Sequence, residues 1–133
     1  MTGTRIIGAL LRADQHVLGT VVAASIKAGR LPDSVTLPAL LVRTVSNIER
    51  QPLKRAGWVR QTDRVSVAVR AENYDEKDGI IALVKACCAG RTGDIGGGIR
   101  VSITTAGLGP DVNGPGDTFE QTQDFRVSFD APV

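Results

Sequence analysis

Ile6, Ile7, Leu10 and Leu11 recur at the spacing that puts them on one face of a helix, so Thr4 to Leu11 predicts an amphipathic helix capped by Thr4. Asp14 offers a second cap for a short turn that reaches Leu18 before Gly19. The β-branched and small residues from Thr20 to Lys27 predict a first strand, and Ala28 to Pro38, with two prolines, predicts a loop. Ala39 to Asn47 is apolar at both parities over its first half, as in a central strand. Asp63 to Ala71 alternates Val65, Val67 and Val69 with Arg64, Ser66, Ala68 and Arg70, which predicts a strand with one face on the core and the other on water or a partner. Between these two strands, residues 48–62 show no apolar period and predict an unusually long loop.

Asn73 and Glu76 have capping-box spacing, and Asp75 and Glu76 suit the positive end of a helix dipole. A helix therefore starts there, buries Tyr74, Ile80, Ile81, Leu83, Val84, Cys87 and Cys88, and stops at Gly90. Gly93 to Gly98 predicts a flexible turn. Ile99, Val101 and Ile103 then mark a half-buried strand, Gly107 to Asp117 a long exposed loop, and Phe125, Val127 and Phe129 the last strand. The order is helix, three strands, helix, two strands. It predicts one α+β domain over residues 1–133, with a mostly antiparallel sheet of about five strands and two helices packed on one face.

Composition narrows the function classes. With 133 residues, 42% of them hydrophobic and 23% charged, the chain has the size and balance of a single globular domain. No apolar run approaches the roughly 20 residues of a membrane span. The apolar patch near the N-terminus covers only about six residues and lacks a small-residue cleavage site, so it reads as a helix rather than a signal. Cys87 and Cys88 are neighbours on a helix, pointing about 100° apart, and are expected to pack in a core rather than pair, in keeping with synthesis in a reducing cytosol. His16 is the single histidine and there is no C-x-x-C, which leaves too few soft ligands for a zinc site, and no Ser-His-Asp or Cys-His pairing stands out in the sequence. The run from Gly90 to Arg100 is rich in glycine, yet it leaves a helix and enters a strand, the reverse of a phosphate loop. Asp75, Glu76 and Asp78 lack the spacing of a calcium loop and are explained by capping and solvation. These readings predict no enzyme, no cofactor and no metal.

A net charge of +2 is too small to argue for nucleic acid by itself. Its distribution is uneven, because Arg50, Lys54, Arg55, Arg60 and Arg64 face only Asp63 within residues 50–64. A tryptophan among arginines is enriched at interface centres, so Arg50, Lys54, Arg55, Trp58 and Arg60 are candidate interface residues. Asp111 and Asn113, in the second long loop, complete the set.

Residues 28–46, with Arg30, Leu31 and Pro32 and then Leu37, Pro38 and Ala39 leading into an apolar strand, resemble a recurring pattern of the tail-terminator (tail-completion) family of long-tailed phages and phage-like particles. Residues 64–84, a strand followed by a tyrosine-containing acidic turn and a helix, are similar to the same family, as is the closing stretch from Thr118 to Phe129. The resemblance covers nearly the whole chain through the order of its pieces. It implies an α+β subunit of a hexameric ring that caps the head-proximal end of the tail tube, ends tube growth and presents a surface to the head-tail connector or stopper protein. It implies contacts with further copies and with the tail tube protein, non-specific proximity to DNA in the channel, no membrane partner, and a place in the virion after synthesis in the bacterial host cytoplasm. Heterologous contacts that close by rotation build such rings. A head-tail connector or stopper of the neck is the nearest alternative. A small ligand-binding regulatory domain is the alternative from another class, although five aromatic residues are few for an apolar pocket.

Overall fold

The computed structural model describes residues 2–132. The chain runs through α1 (Thr2–Ala13), α2 (Gln15–Leu18), β1 (Ile26–Ala28), β2 (Ala39–Arg50), β3 (Trp58–Ala71), α3 (Tyr74–Cys88), β4 (Thr92–Ile95), β5 (Gly98–Leu108), β6 (Val112–Gly114) and β7 (Thr118–Pro132). Single 3-10 turns occupy Ala23–Ser25 and Pro115–Asp117. The strands form one sheet in the order β1-β2-β3-β7-β5-β4, with β6 added alongside β7.

The α+β class holds, but the sheet is larger and more mixed than the five antiparallel strands expected. It has seven strands among the described residues, and β1 runs parallel to β2 with Ile26 opposite Leu40. The two extra strands come from segments whose composition suggests loops. Thr92–Ile95 folds back on β5 through a two-residue turn with Gly96 at φ 58° and Gly97 at φ 86°, a positive-φ pair that suits a hairpin. Val112–Gly114 pairs with Thr118–Glu120, so the expected loop from Gly107 to Asp117 is largely ordered. The expected strand from Thr20 to Lys27 shrinks to Ile26–Ala28, since Val21 turns into the core and Ala23–Ser25 coils ahead of it. α1 begins at Thr2, which places Thr4 inside the helix instead of at its cap.

Both long helices lie on one face of the sheet, as the alternation predicts. Val65, Val67 and Val69 of β3 and Phe125, Val127 and Phe129 of β7 point toward them. Ile6, Ile7 and Leu11 of α1 and Ile80, Val84, Cys87 and Cys88 of α3 complete this core. The caps form as expected: Asn73 Oδ1 accepts the Glu76 amide at 2.8 Å, and Asp14 Oδ1 accepts the amides of His16 and Val17. The Val17 amide contributes most to holding the Asp14 carboxyl below its usual pKa.

The glycine-rich run earns its place through packing. A Cβ on Gly98 would stand 2.6 Å from Ile6 Cδ1, and one on Gly96 would stand 2.9 Å from Ile6 Cα. Glycine here lets the β4–β5 hairpin press directly against α1.

Candidate interface site

β2 and β3 extend much further than the sequence pattern suggests. Their pairing continues from Ala39 opposite Arg70 out to Arg50 opposite Arg60, interrupted by one irregularity at Val45. The expected 15-residue loop is therefore a seven-residue tip, 51–57, on a long hairpin. β3 is held on both sides over its whole length, because β7 pairs with it from Ala71 opposite Phe119 to Trp58 opposite Pro132. β2 is not. β1 covers it only from Leu40 to Val42, so from Arg43 to Arg50 one edge of β2 has no neighbouring strand among the described residues.

Four large apolar side chains stay exposed along this free edge and its tip. Val45 and Ile48 are 56% and 62% exposed, Leu53 is fully exposed at the tip, and Trp58 is half-exposed where β3 begins. Arg43, Arg50, Lys54 and Arg55, all exposed, lie along the same stretch, with Glu49 the one acidic residue between Arg43 and Trp58. Exposed apolar side chains thus alternate with cations along an unpaired strand edge, and edges of this length invite pairing.

Of the candidate residues, Arg50, Lys54, Arg55 and Trp58 fall together at this end. Arg60 lies beside them but is committed within the sheet: its guanidinium donates to Arg100 O at 2.6 Å and Asp130 Oδ1 at 3.1 Å, bridging β3 to β7 and β5. Asp111 and Asn113 lie at the opposite end of the sheet. Asn113 Nδ2 donates to Thr118 O at 3.4 Å, steadying the connection from β6 to β7. Asp111 accepts hydrogen bonds from Lys77 Nζ and from Tyr74 OH at 2.9 Å.

Lys77 is a site that periodicity alone misses. It lies on the inner side of α3 and is fully buried, with Nζ on Asp111, Asp78 and Gln121 and 4.2 Å from the centre of the Tyr74 ring. Burial alone would lower its pKa, and the hydrogen bonds to Asp111 and Asp78 outweigh that and raise it. Lys77 in turn does most to hold Asp111 below its usual range, and Asp111 raises the Tyr74 hydroxyl. The cluster locks the segment after β5 onto α3, helped by Gln121 Nε2 donating to Gly109 O at 2.8 Å.

Asp63 is a second buried ionisable residue without an apolar signature. Its Oδ2 accepts the Gly3 amide at 3.0 Å, and Oδ1 accepts from Asn47 Nδ2, so it ties α1 to β3 and β2 together. A Cβ on Gly3 would stand 2.4 Å from Asp63 Oδ2, which explains glycine at that point.

The sheet face turned away from the helices carries a cross-strand ladder of charge. Arg64 Nε donates to Asp124 Oδ2 at 2.8 Å, Arg70 pairs with Glu120, and Thr62 meets Ser128 at 2.9 Å. The even positions of β3 announce this polar face, but only the register identifies the partners.

His16 is exposed on α2. Cys87 and Cys88 are buried; Cys87 Sγ donates to Leu10 O at 3.3 Å, and its hydrogen bond to Cys88, with burial, pushes the Cys88 thiol up. Among the described residues no group of three or more His, Cys, Asp or Glu side chains is placed to hold a metal. No helix among them is long and apolar enough to cross a membrane.

No family model and no curated protein matches the sequence. Solved structures do. The fold is similar to that of a chain in the virion of a native gene transfer agent particle, with a TM-score of 0.70 at 13% identity over 96% of this chain and 94% of that one. It is also similar, with a TM-score of 0.56 at 17% identity, to a solved chain that carries no functional description, over 100% of this chain and 99% of that one. At these identities the likeness shows a shared fold, and it runs nearly end to end in both partners.

Proposed function

We propose that the chain is a structural subunit of a phage-like virion that sits as a ring on the head-proximal end of the tail tube, ends tube growth and allows heads and tails to join. The observation that carries this reading is the end-to-end likeness in fold to a chain of a gene transfer agent virion. The order of motifs that resembles the tail-terminator family supports the more specific role. So does the distribution of surface chemistry, since the unpaired edge of β2 and its basic, apolar tip suit contact with another protein surface. On this reading the ring is hexameric, its partners are further copies, the tail tube protein and the connector or stopper of the neck, and the chain works by fit without a chemical step.

Electron microscopy of particles produced without this chain tests the proposal. Tails of uncontrolled length that carry no heads are expected. Tails of normal length that fail only in head attachment would move the chain to the neck, and intact particles of normal length would overturn the reading.

A further inference from the structure

The tip of the β2–β3 hairpin has a counterpart at the other end of the same molecule. There, Glu72, Asp75, Glu76 and Asp78 place four carboxylates within residues 72–78, and the one cation among them, Lys77, is buried and already paired. Beside this acidic shoulder, the groove between α3 and β5 forms a hollow of about 320 Å³ bounded by Asp78, Ile81, Ala82, Lys85, Thr105 and Leu108. Leu108 and Tyr74 add exposed apolar surface around it. The hairpin end offers the converse: three exposed cations, Arg50, Lys54 and Arg55, with one carboxylate, Glu49, near Leu53, whose side chain is fully exposed.

These two surfaces cannot meet within one molecule. The tip lies beyond Trp58 at one end of β3, whereas the acidic residues follow Ala71 at its other end and the hollow lies level with the strand's middle, where Thr105 pairs with Phe125 and Phe125 with Val65. We infer that the hairpin tip of one copy docks on the acidic shoulder of the next, with Leu53 seated in the hollow between α3 and β5 and Arg50, Lys54 and Arg55 against Glu72 and Asp75. The occupant is a second copy because the tip and the shoulder carry opposite charge and both apolar parts lack cover in the chain itself. A tip-to-shoulder contact joins two different surfaces, so it repeats head to tail and closes into a ring when the rotation allows. This inference rests on the ring reading and names the contact that builds the ring.

The test uses the full chain with two cysteine variants, Leu53→Cys and Ala82→Cys, mixed in equal amounts at high concentration and treated with a short bismaleimide; the native thiols are buried. At low salt a link between copies from position 53 to position 82 is expected to exceed tenfold the link from Leu53→Cys to a control Gln15→Cys. Raising the salt should weaken it. Reversing the tip (Arg50→Glu, Lys54→Glu, Arg55→Glu) or the shoulder (Glu72→Lys, Asp75→Lys) should abolish it, and combining both sets in one chain should restore it. Thermal unfolding of each variant confirms that it folds. Equal linking to both positions, or no recovery in the combined variant, overturns the docking pair. Such a failure together with uncontrolled tails in particles lacking the chain would leave the capping role standing, whereas a specific link with normal particles would remove the capping role and keep the contact.

Discussion

The two halves of β2 differ more than any other neighbouring segments of the molecule. From Ala39 to Val42 the strand lies between β1 and β3 beneath α1, and Ala39, Leu40 and Val42 are buried. From Arg43 to Arg50 the same strand keeps its pairing with β3 but loses its outer neighbour, and its side chains turn to solvent. Backbone pairing thus resumes beyond the irregularity at Val45 and runs to Arg50, while side-chain burial stops. The first half contributes to stability through apolar area removed from water. The second half contributes little of that kind and leaves a surface for something else.

Substitutions at matched positions should separate the two roles. Leu40→Ala is expected to cost about 2–5 kcal/mol in urea unfolding, from lost transfer energy and the cavity left under α1. A cost below about 1 kcal/mol would mean that the proximal half is not the anchor. At the border, Asp63→Ala should cost about 1–3 kcal/mol, because it leaves the Gly3 amide and the Asn47 amide without their acceptor. For a domain of this size each kcal/mol lowers the melting temperature by roughly 3–5 °C, so calorimetry resolves the effect.

A smaller effect is expected at the shoulder. The Asp111 carboxyl is held below its usual value of 3.8, so its contribution is present above that pH and is lost as pH falls through the lowered folded value. Amide exchange in residues 107–113 should therefore accelerate below about pH 3.8 before the core opens, and Asp111→Asn should remove that step. Exchange that stays unchanged down to global acid unfolding would show that the Lys77–Asp111 contact does not hold this segment. The smallest effect on folding belongs to the distal half: Ile48→Ala and Trp58→Ala should change stability by less than about 0.5 kcal/mol while abolishing assembly into particles. Unaltered assembly would remove the interface role of this edge.

The contrast also explains what the sequence made legible. α1, α3, the caps at Asn73 and Asp14, and the valine and phenylalanine alternations of β3 and β7 follow from a buried face, which leaves a period in the residue types. Residues 48–62 include paired strand, yet their side chains through Trp58 are exposed and free to vary, so no apolar period marks them. β4 and β6 are short, exposed and glycine-containing for the same reason. Lys77 and Asp63 were invisible because burial of a charge depends on partners 34 and 60 positions away, Asp111 and Gly3, which only the register brings together. The cluster of Arg50, Lys54, Arg55 and Trp58 was readable from composition, whereas the separation of Asp111 and Asn113 to the far end was not.

A reconstruction of the head-tail junction in intact particles at side-chain detail is the most direct examination of the central claim. The account predicts this chain in a closed ring on the last layer of the tail tube, each hairpin tip resting on its neighbour. Density for the chain elsewhere in the particle, or a junction built without it, would contradict that assignment.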